Sequence, residues 1–282
     1  MLYWHQFIPD LNCFCIRLLD IFAPSNSFMS MYRYFIHLAY DGTRFHGWQR
    51  QPNAITVQEV LENALSMMTG ELLVLTGAGR TDTGVHARNY YAHVDMSRAM
   101  DSLELDRLTY RLNSYLGEDL VIYRIFRVVS SAHARFSAQS RTYTYHIARI
   151  RDPFCCRYQH SFHGRLDLQG MNEGAGILME YRDFTSFSKV DTDTKTNICQ
   201  ITEAIWRVKD QEIVFTITAD RFLRNMVRAI VGTLISVGQK KISPDDLRGI
   251  IESLDRSKAG QSAPARGLIL ESIHYPDSIF GI

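Results

Sequence analysis

The apolar period of this chain switches repeatedly between two residues and three to four, which limits it to folds that layer helices on a sheet. Tyr32 to Tyr40 alternates Tyr34, Ile36 and Leu38 against Arg33, Phe35 and His37, as a strand does. Thr56 then opens a T-x-x-E capping box with Glu59, followed by Val57, Val60, Leu61, Ala64, Leu65 and Met68 at helical spacing. An apolar strand over Leu72–Thr76, a strand over Tyr90–Met96, a helix marked by Leu105, Leu108, Leu112 and Leu116, and a strand over Leu120–Val129 complete the first run. The pattern then restarts with a strand over Arg141–Ala148 and a helix over Leu168–Tyr181. Strands over Ile198–Val208 and Glu212–Thr218 follow, then a helix over Asp220–Gly238. Ser243-Pro244 opens a last helix that ends near Leu254. These alternations predict α/β layers, and 282 residues are enough for two halves with a boundary near Val129–Ala138.

Residues Gly77 to Ala87 read GAGRTDTGVHA and interrupt the periodic pattern. Gly77, Gly79 and Gly84 within eight positions exclude a regular helix, so the stretch reads as a tight loop. It holds one carboxylate, Asp82, close to one guanidinium, Arg80. A Walker phosphate loop needs Lys after its last glycine, but Val85 follows Gly84. The glycines also miss the G-x-G-x-x-G spacing of dinucleotide sites. On residue types alone, an Asp in such a loop is more often a turn former than a nucleophile.

Formal charge is only +1, so the whole chain is no general polyanion binder and the distribution of charge carries the argument. From Ser131 to Arg165 stand Arg135, Arg141, Arg149, Arg151, Arg157 and Arg165 with four histidines, against the single acid Asp152. Phe136, Tyr143, Tyr145, Phe154, Tyr158 and Phe162 are interleaved. Cations alternating with rings suit a nucleic-acid backbone and an unstacked base. Arg221, Arg224 and Arg228 are spaced to share one face of the helix over Asp220–Gly238, opposite an apolar face. The cysteines Cys13, Cys15, Cys155, Cys156 and Cys199 form no C-x-x-C pair, which suits reduced thiols. His160 and His163 lack a completing acid or thiol, so they read as surface or RNA-facing groups and no metal is expected. Asn12–Ala23 is apolar but too short to span a membrane and is interrupted by Arg17 and Asp20. It lacks a basic leader and a small-residue cleavage site. Residues 1–30 read either as a genuine arm or as an extension ahead of a start at Met29 or Met31.

The string GAGRTDTGVHA resembles the signature of the TruA family of tRNA pseudouridine synthases. YDGTRFHGWQRQP (Tyr40–Pro52), HARFSAQSRTYTY (His133–Tyr145), DFTSF (Asp183–Phe187), FLRNMVRAIVGTLISVG (Phe222–Gly238) and APARGLILESIHYP (Ala263–Pro276) follow in the family's order. Together they cover about residues 32–276; Thr83 stands where the family often carries Ala. The resemblance implies two ferredoxin-like halves, residues 31–133 and 134–282, with joined sheets and an active cleft between them. It implies an isomerase that turns uridine into pseudouridine at positions 38, 39 and 40 of the tRNA anticodon stem-loop, as a cytoplasmic homodimer gripping one tRNA. It assigns Asp82 as the catalytic acid, Tyr143 as the ring against the target base and Arg228 as the partner of the carboxylate. A guanidinium so placed favours the charged carboxylate and fixes its rotamer. Arg80 suits a phosphate contact or the space left by the base, whereas Asp183 reads as a cap or turn residue.

The chemistry implied explains why one acid is enough. Breaking the bond from base nitrogen to ribose C1′ develops positive charge on the sugar, which a carboxylate can stabilise or bond to. Attack at C1′ and abstraction of a ribose proton both remain open. Nothing is oxidised, hydrolysed or passed to another molecule, so no cofactor is demanded. The rival readings are a non-catalytic RNA-binding module and a small-molecule nucleoside enzyme; the cation cluster opposes the second.

Overall fold

A computed structural model describes residues 31–189 and 196–281. The expectations for residues 1–30, including Cys13 and Cys15, lie outside the described residues. The first run forms β1 (Tyr32–Tyr40), α1 (Val57–Thr69), β2 (Thr76–Gly77), β3 (His86–Met96), α2 (Ser102–Tyr115) and β4 (Leu120–Arg127). The second forms β5 (Ser140–Ala148), β6 (His160–Ser161), α3 (Leu168–Leu178), β7 (Ile201–Lys209) and β8 (Glu212–Ala219). It ends with α4 (Met226–Gly238), α5 (Pro244–Glu252) and β9 (Leu268–His274).

All nine strands described form one sheet, ordered β4-β1-β3-β9-β5-β8-β7, with β2 on β3 and β6 on β5. The order β4-β1-β3-β2 in the first run recurs as β9-β5-β8-β7 in the second. Each is an antiparallel 4-1-3-2 sheet with helices after its first and third strands, which is the ferredoxin-like arrangement. The two are joined by a short parallel pairing of β3 with β9, His86 opposite Ile269 and Ala87 opposite Leu270.

That join explains the main departures from the predicted elements. The outer edge of β3 is shared: β9 takes its start, and β2 pairs only with Ala92 and His93 near its end. The predicted strand over Leu72–Thr76 therefore shrinks to Thr76–Gly77. Its alternation survives, with Leu73 and Leu75 buried while Leu72 and Val74 are 93% and 71% exposed. Periodicity assigned no strand at β9, which is inserted between the halves rather than paired with its chain neighbours. Its Leu270 and Ile273, with Tyr275 and Ile279, complete the core of the first run beside Tyr34, Leu61 and Tyr90. Val85 crosses the other way, into the core of Tyr145, Phe215, Ile230 and Leu234.

Helix starts follow the capping chemistry. The Thr56 hydroxyl accepts from Glu59 N, but the Glu59 carboxylate reaches Arg50 at 3.3 Å, so only half of the expected box forms. Asp101 with Glu104 and Ser243 with Asp246 form complete boxes at α2 and α5. The predicted helix over Asp220–Gly238 begins only at Met226, because Asn225 at φ +65° breaks the helical path. Arg221 and Arg224 therefore do not share a helix face with Arg228. Residues 220–225 instead form a wall beside β5 and β9.

The segment between β1 and α1 cradles the loop that leaves β2. A Cβ at Gly42 would run into the Val85 carbonyl, and one at Gly47 into the Thr81 carbonyl. Gly47 also sits at φ +85°, where other residues are strained. Gly47→Ala should therefore lower unfolding free energy by roughly 1–3 kcal/mol, read as a lower urea midpoint at unchanged slope, and should displace the loop bearing Asp82.

Candidate active site

The loop from Ala78 to Val85 runs from the end of β2 to the start of β3, beside the join of the halves. Tyr90 fixes its beginning by donating to the Gly79 carbonyl at 2.5 Å. Tyr40 Oη and Thr81 Oγ1 are 3.0 Å apart, and Gly84 at φ +77° donates its N–H to the Phe45 carbonyl at 3.3 Å. Gly77 has no room for a Cβ beside Trp48 and Tyr90. Gly77 thus serves close packing against two rings and Gly84 a positive φ, whereas a Cβ at Gly79 would meet open space.

Asp82 Oδ2 accepts a hydrogen bond from Arg228 Nη1 at 3.0 Å, with both side chains 22% exposed. Its Oδ1 accepts none from the described residues. Arg228 is fixed in turn, since its Nε donates to the Ala263 carbonyl at 2.8 Å while Ala263 N donates to the Arg228 carbonyl at 2.9 Å. The chain from Ala259 to Ala263 lies tightly on α4, for a Cβ on Gly232 would meet the Gln261 carbonyl. Asn225 Nδ2 donates to Ser262 Oγ at 2.6 Å and anchors the same strap.

The pair faces a cavity of about 690 Å³ lined by both halves. Arg80, Arg135, Arg141, Arg221, Arg224 and Arg228 surround it, against the acids Asp82 and Asp220. Asp220 is engaged by main chain, accepting from Gln200 N and Arg221 N at 2.7 Å each. Arg141 is a clamp: its guanidinium donates to the carbonyls of Asp220 at 2.7 Å, Arg135 at 2.5 Å, Ala138 at 3.1 Å and Ala78 at 3.4 Å. It thereby ties the Asp82 loop to the 220–225 wall and to the connection between the halves. Burial lowers its pKa, with neighbouring tyrosines opposing. Arg80 and Arg224 are exposed, and their side chains have no partner among the described residues.

Tyr143 lines the cavity with its ring edge-on to Phe222, centroids 5.2 Å apart and planes at 88°. Its hydroxyl has no hydrogen-bond partner among the described residues. Burial pushes its phenol up to about 12; Arg141 opposes the shift and the negative charge of Asp82 adds to it. The group is thus a neutral phenol at ordinary pH.

All four residues singled out in the sequence, Asp82, Arg80, Tyr143 and Arg228, line this one cavity. The basic run Ser131–Arg165 is divided: Arg135, Phe136, Arg141 and Tyr143 line the cavity, while Arg149, Arg151, Arg157 and Arg165 do not. Asp183 Oδ1 accepts from Thr185 N at 3.0 Å and Thr185 Oγ1 at 2.6 Å, the turn role expected of it. His160 is half-buried with its ring edge toward Tyr145 and so is no open surface group. Phe222 and Arg224 went unrecognised as lining groups because they were assigned to a helix face. The signal for them was Asn225, a residue type that tolerates positive φ. Among the described residues no three His, Cys, Asp or Glu side chains cluster to hold a metal, and no helix is long and apolar enough to cross a membrane.

Fold and cavity together define a protein of two ferredoxin-like halves on one sheet, with a carboxylate–guanidinium pair at a cavity edged by arginines. A family model described as tRNA pseudouridine synthase matches residues 36–137 and 181–276. The tRNA pseudouridine synthase A of Bacteroides fragilis is 52% identical over 253 residues, covering 89% of this chain and 100% of the relative. That of Porphyromonas gingivalis is 53% identical over 252 residues, with 89% and 100% covered. The Acetivibrio thermocellus protein of the same name is 39% identical over 240 residues, covering 84% and 97%. The chain belongs to the TruA family of tRNA pseudouridine synthases, isomerases that act on tRNA.

The Tyr143 phenol sets an alkaline limit. Below pH 10 both folded and unfolded chains keep this proton, and the folded state loses nothing. Above pH 10 the unfolded chain ionises first, so stability falls until the folded group titrates at about 12. Urea midpoints should drop from pH 10 to 11.5, and Tyr143→Phe should make that decline shallower. An identical decline in the variant would mean the phenol is not held neutral by its site.

Proposed function

We propose that the chain isomerises uridine to pseudouridine in the tRNA anticodon stem-loop, at positions 38, 39 and 40, with Asp82 as the nucleophile. The single observation that carries this reading is the Asp82 carboxylate, one oxygen on Arg228 and the other free, at a cavity edged by arginines. The free Oδ1 bonds to ribose C1′ as the N1–C1′ bond breaks and uracil departs with the electron pair. The base turns, its C5 attacks C1′, and the carboxylate leaves as the new carbon–carbon bond forms. C5 loses its proton and N1 gains one, so the sum of atoms is unchanged.

The target base must leave the stack, at a cost of a few kcal/mol that contacts in the cavity offset. Tyr143, braced by Phe222, offers a face to the extruded uracil. Its phenol is neutral at working pH, so it can donate a hydrogen bond and is no general base. Arg80, exposed and without a side-chain partner among the described residues, takes a phosphate or the gap left in the stack. Arg228 holds the carboxylate at the angle attack requires. The residue ranges 31–133 and 134–282 are the working halves, one carrying the acid and the other the ring and its guanidinium. The active form on this reading is a cytoplasmic homodimer that grips one tRNA.

Asp82→Asn should bind tRNA within about two-fold of the parent while making no pseudouridine in single-turnover assays with tritium release from C5. Measurable turnover by that variant would remove Asp82 from the nucleophile role. Affinity for tRNA should also fall steeply from 50 to 200 mM salt, because each neutralised phosphate releases counterions. A flat salt profile in a filter-binding assay would exclude backbone contacts by the arginines.

A further inference from the structure

His86 is a buried, titratable group at the join of the halves, and no step of the isomerisation described above uses it. It opens β3 opposite Ile269 and is 3% exposed. Its chain neighbour Val85, the end of the Asp82 loop, is buried in the core of the second half. Three other segments close on its ring. Asp41 and Gly42 approach from the segment that cradles the Asp82 loop. Tyr158, ahead of β6, meets the ring edge to face with centroids 5.1 Å apart, and its Oη donates to Asp41 Oδ2 at 3.0 Å. The carbonyls of Arg157 and Arg266 act on the ring from the same connection and from the chain before β9.

These neighbours make incompatible demands on one nitrogen. Gly42 N donates to Nδ1 at 3.0 Å, which needs a lone pair there. Asp41 Oδ1 stands 3.0 Å from the same atom, which favours a proton there. Nε2 is buried and closes no hydrogen bond with the described residues, although the carbonyls of Arg157 and Arg266 favour a proton on it. The neutral ring that suits this setting carries its proton on Nε2 and accepts from Gly42. A second proton enters at Nδ1, beside Asp41, and ends the bond to Gly42. Burial lowers the His86 pKa, with Asp41 opposing, so the neutral ring prevails at neutral pH. Burial also disfavours the Asp41 carboxylate, but Thr43 Oγ1 at 2.6 Å, Thr43 N at 2.9 Å and Tyr158 donate to it and hold its pKa below the ordinary value. One step out, the Asp119 carbonyl accepts from Asp41 N at 2.9 Å, and its carboxylate pairs with Arg44.

The bond to Gly42 has consequences at the loop. Gly42 packs on the Val85 carbonyl, Gly47 on the Thr81 carbonyl, and the Phe45 carbonyl accepts from Gly84 N, so the cradle touches the turn on both sides of Asp82. We propose that His86 is a positioning residue for the isomerisation: its neutral ring fastens Gly42, and with it the cradle that sets Asp82, and a proton on Nδ1 releases that hold. This rests on the role proposed for Asp82. His86 does not line the cavity, so its proton governs the chemical step and not the binding of tRNA.

Single-turnover rates and tRNA affinities between about pH 5 and 8 test this in the full chain, across the range of an ordinary histidine. His86→Leu has no acceptor for Gly42 N. It should lose roughly ten- to hundred-fold in rate at about pH 7.5 yet bind tRNA within about two-fold of the parent, because a small displacement of a reacting group costs rate before affinity. His86→Asn offers an amide oxygen near the place of Nδ1 that takes up no proton in this range, and it should recover most of the lost rate. The ratio of the Asn variant's rate to the parent's should rise several-fold as pH falls below the ordinary histidine value, since only the parent releases Gly42. Any acid limb contributed by Asp82 is common to both and cancels in that ratio. Nitrogen NMR of the His86 ring, which needs no variant, should find its proton on Nε2 at neutral pH. A proton on Nδ1 there, a flat ratio for the Asn variant, or a parent-like rate for the Leu variant overturns the proposal. Equal losses in both variants at every pH, in step with lower urea midpoints, overturn it too and make His86 a packing residue. A parent that makes no pseudouridine in tRNA is a separate outcome, in which the functional reading itself fails and this proposal with it.

Discussion

The structure depends on a parallel pairing only two residues long, His86–Ala87 against Ile269–Leu270. Without it the chain would be two antiparallel sheets, each with an open edge at its own β3 or β9. The join removes both edges and makes one sheet of them. It also determines where the Asp82 loop can go. β9 occupies the start of β3, so the chain arriving from β2 cannot pair there and must leave the sheet. The loop is the detour this occupancy imposes, and it leaves Asp82 where groups from both halves can face it. Val85 in the second core and Leu270 in the first fasten the detour from both sides.

Electrostatics then follows from how the detour is held. Among the described residues, five of the six arginines around the cavity have no acid partner, and only Arg228 is paired with a carboxylate, Asp82. Arg141 spends its donors on four carbonyls rather than on a charge. Its cation thus remains available to the field of the cavity while its hydrogen bonds hold the walls. The result is a site with excess positive charge in which the acid is held on one fixed cation, Arg228, a combination that favours phosphate while keeping the carboxylate in place.

Much of this was legible in the sequence because the two halves obey local rules. Helices α1 and α2 announced themselves through apolar spacing and α5 through its Ser-Pro start, β1 and β5 announced themselves through alternation, and strands were also assigned at β3, β4, β7 and β8. The glycine-rich loop was legible as a loop, and the family motifs named residues that one cavity gathers. What escaped was non-local. β9 was not assigned because Leu268–Leu270 is a buried run whose partners lie on both halves, so no alternation marks it. The start of α4 was misplaced because Phe222 and Leu223 continue the apolar spacing while Asn225 turns the backbone. Arg141 looked like one cation among six, since the four carbonyls it binds come from segments up to 79 residues away from it. The basic run looked uniform for the same reason; β5 carries its two ends to different places.

If Asp82 acts as the nucleophile, as proposed above, water must be kept from the sugar carbon, because a glycosyl–carboxylate bond exposed to solvent would hydrolyse. On that reading the rings lining the cavity are the groups that would disfavour water there. Tyr143 and Phe222 meet edge to face beside the carboxylate, and Tyr90, Leu270 and Ile273 line the cavity from the sheet. Their apolar surface disfavours ordered water while leaving room for a flat base to turn. The Tyr143 phenol fits the same requirement, since burial keeps it neutral and the negative Asp82 nearby reinforces that state. The other acid of the cavity, Asp220, is engaged by main-chain N–H groups. On the proposed reading, a second free carboxylate beside Asp82 would be harmful. It would repel Asp82 and the RNA backbone, raise the affinity of the cavity for protons, and offer a general base able to activate the very water the site must exclude.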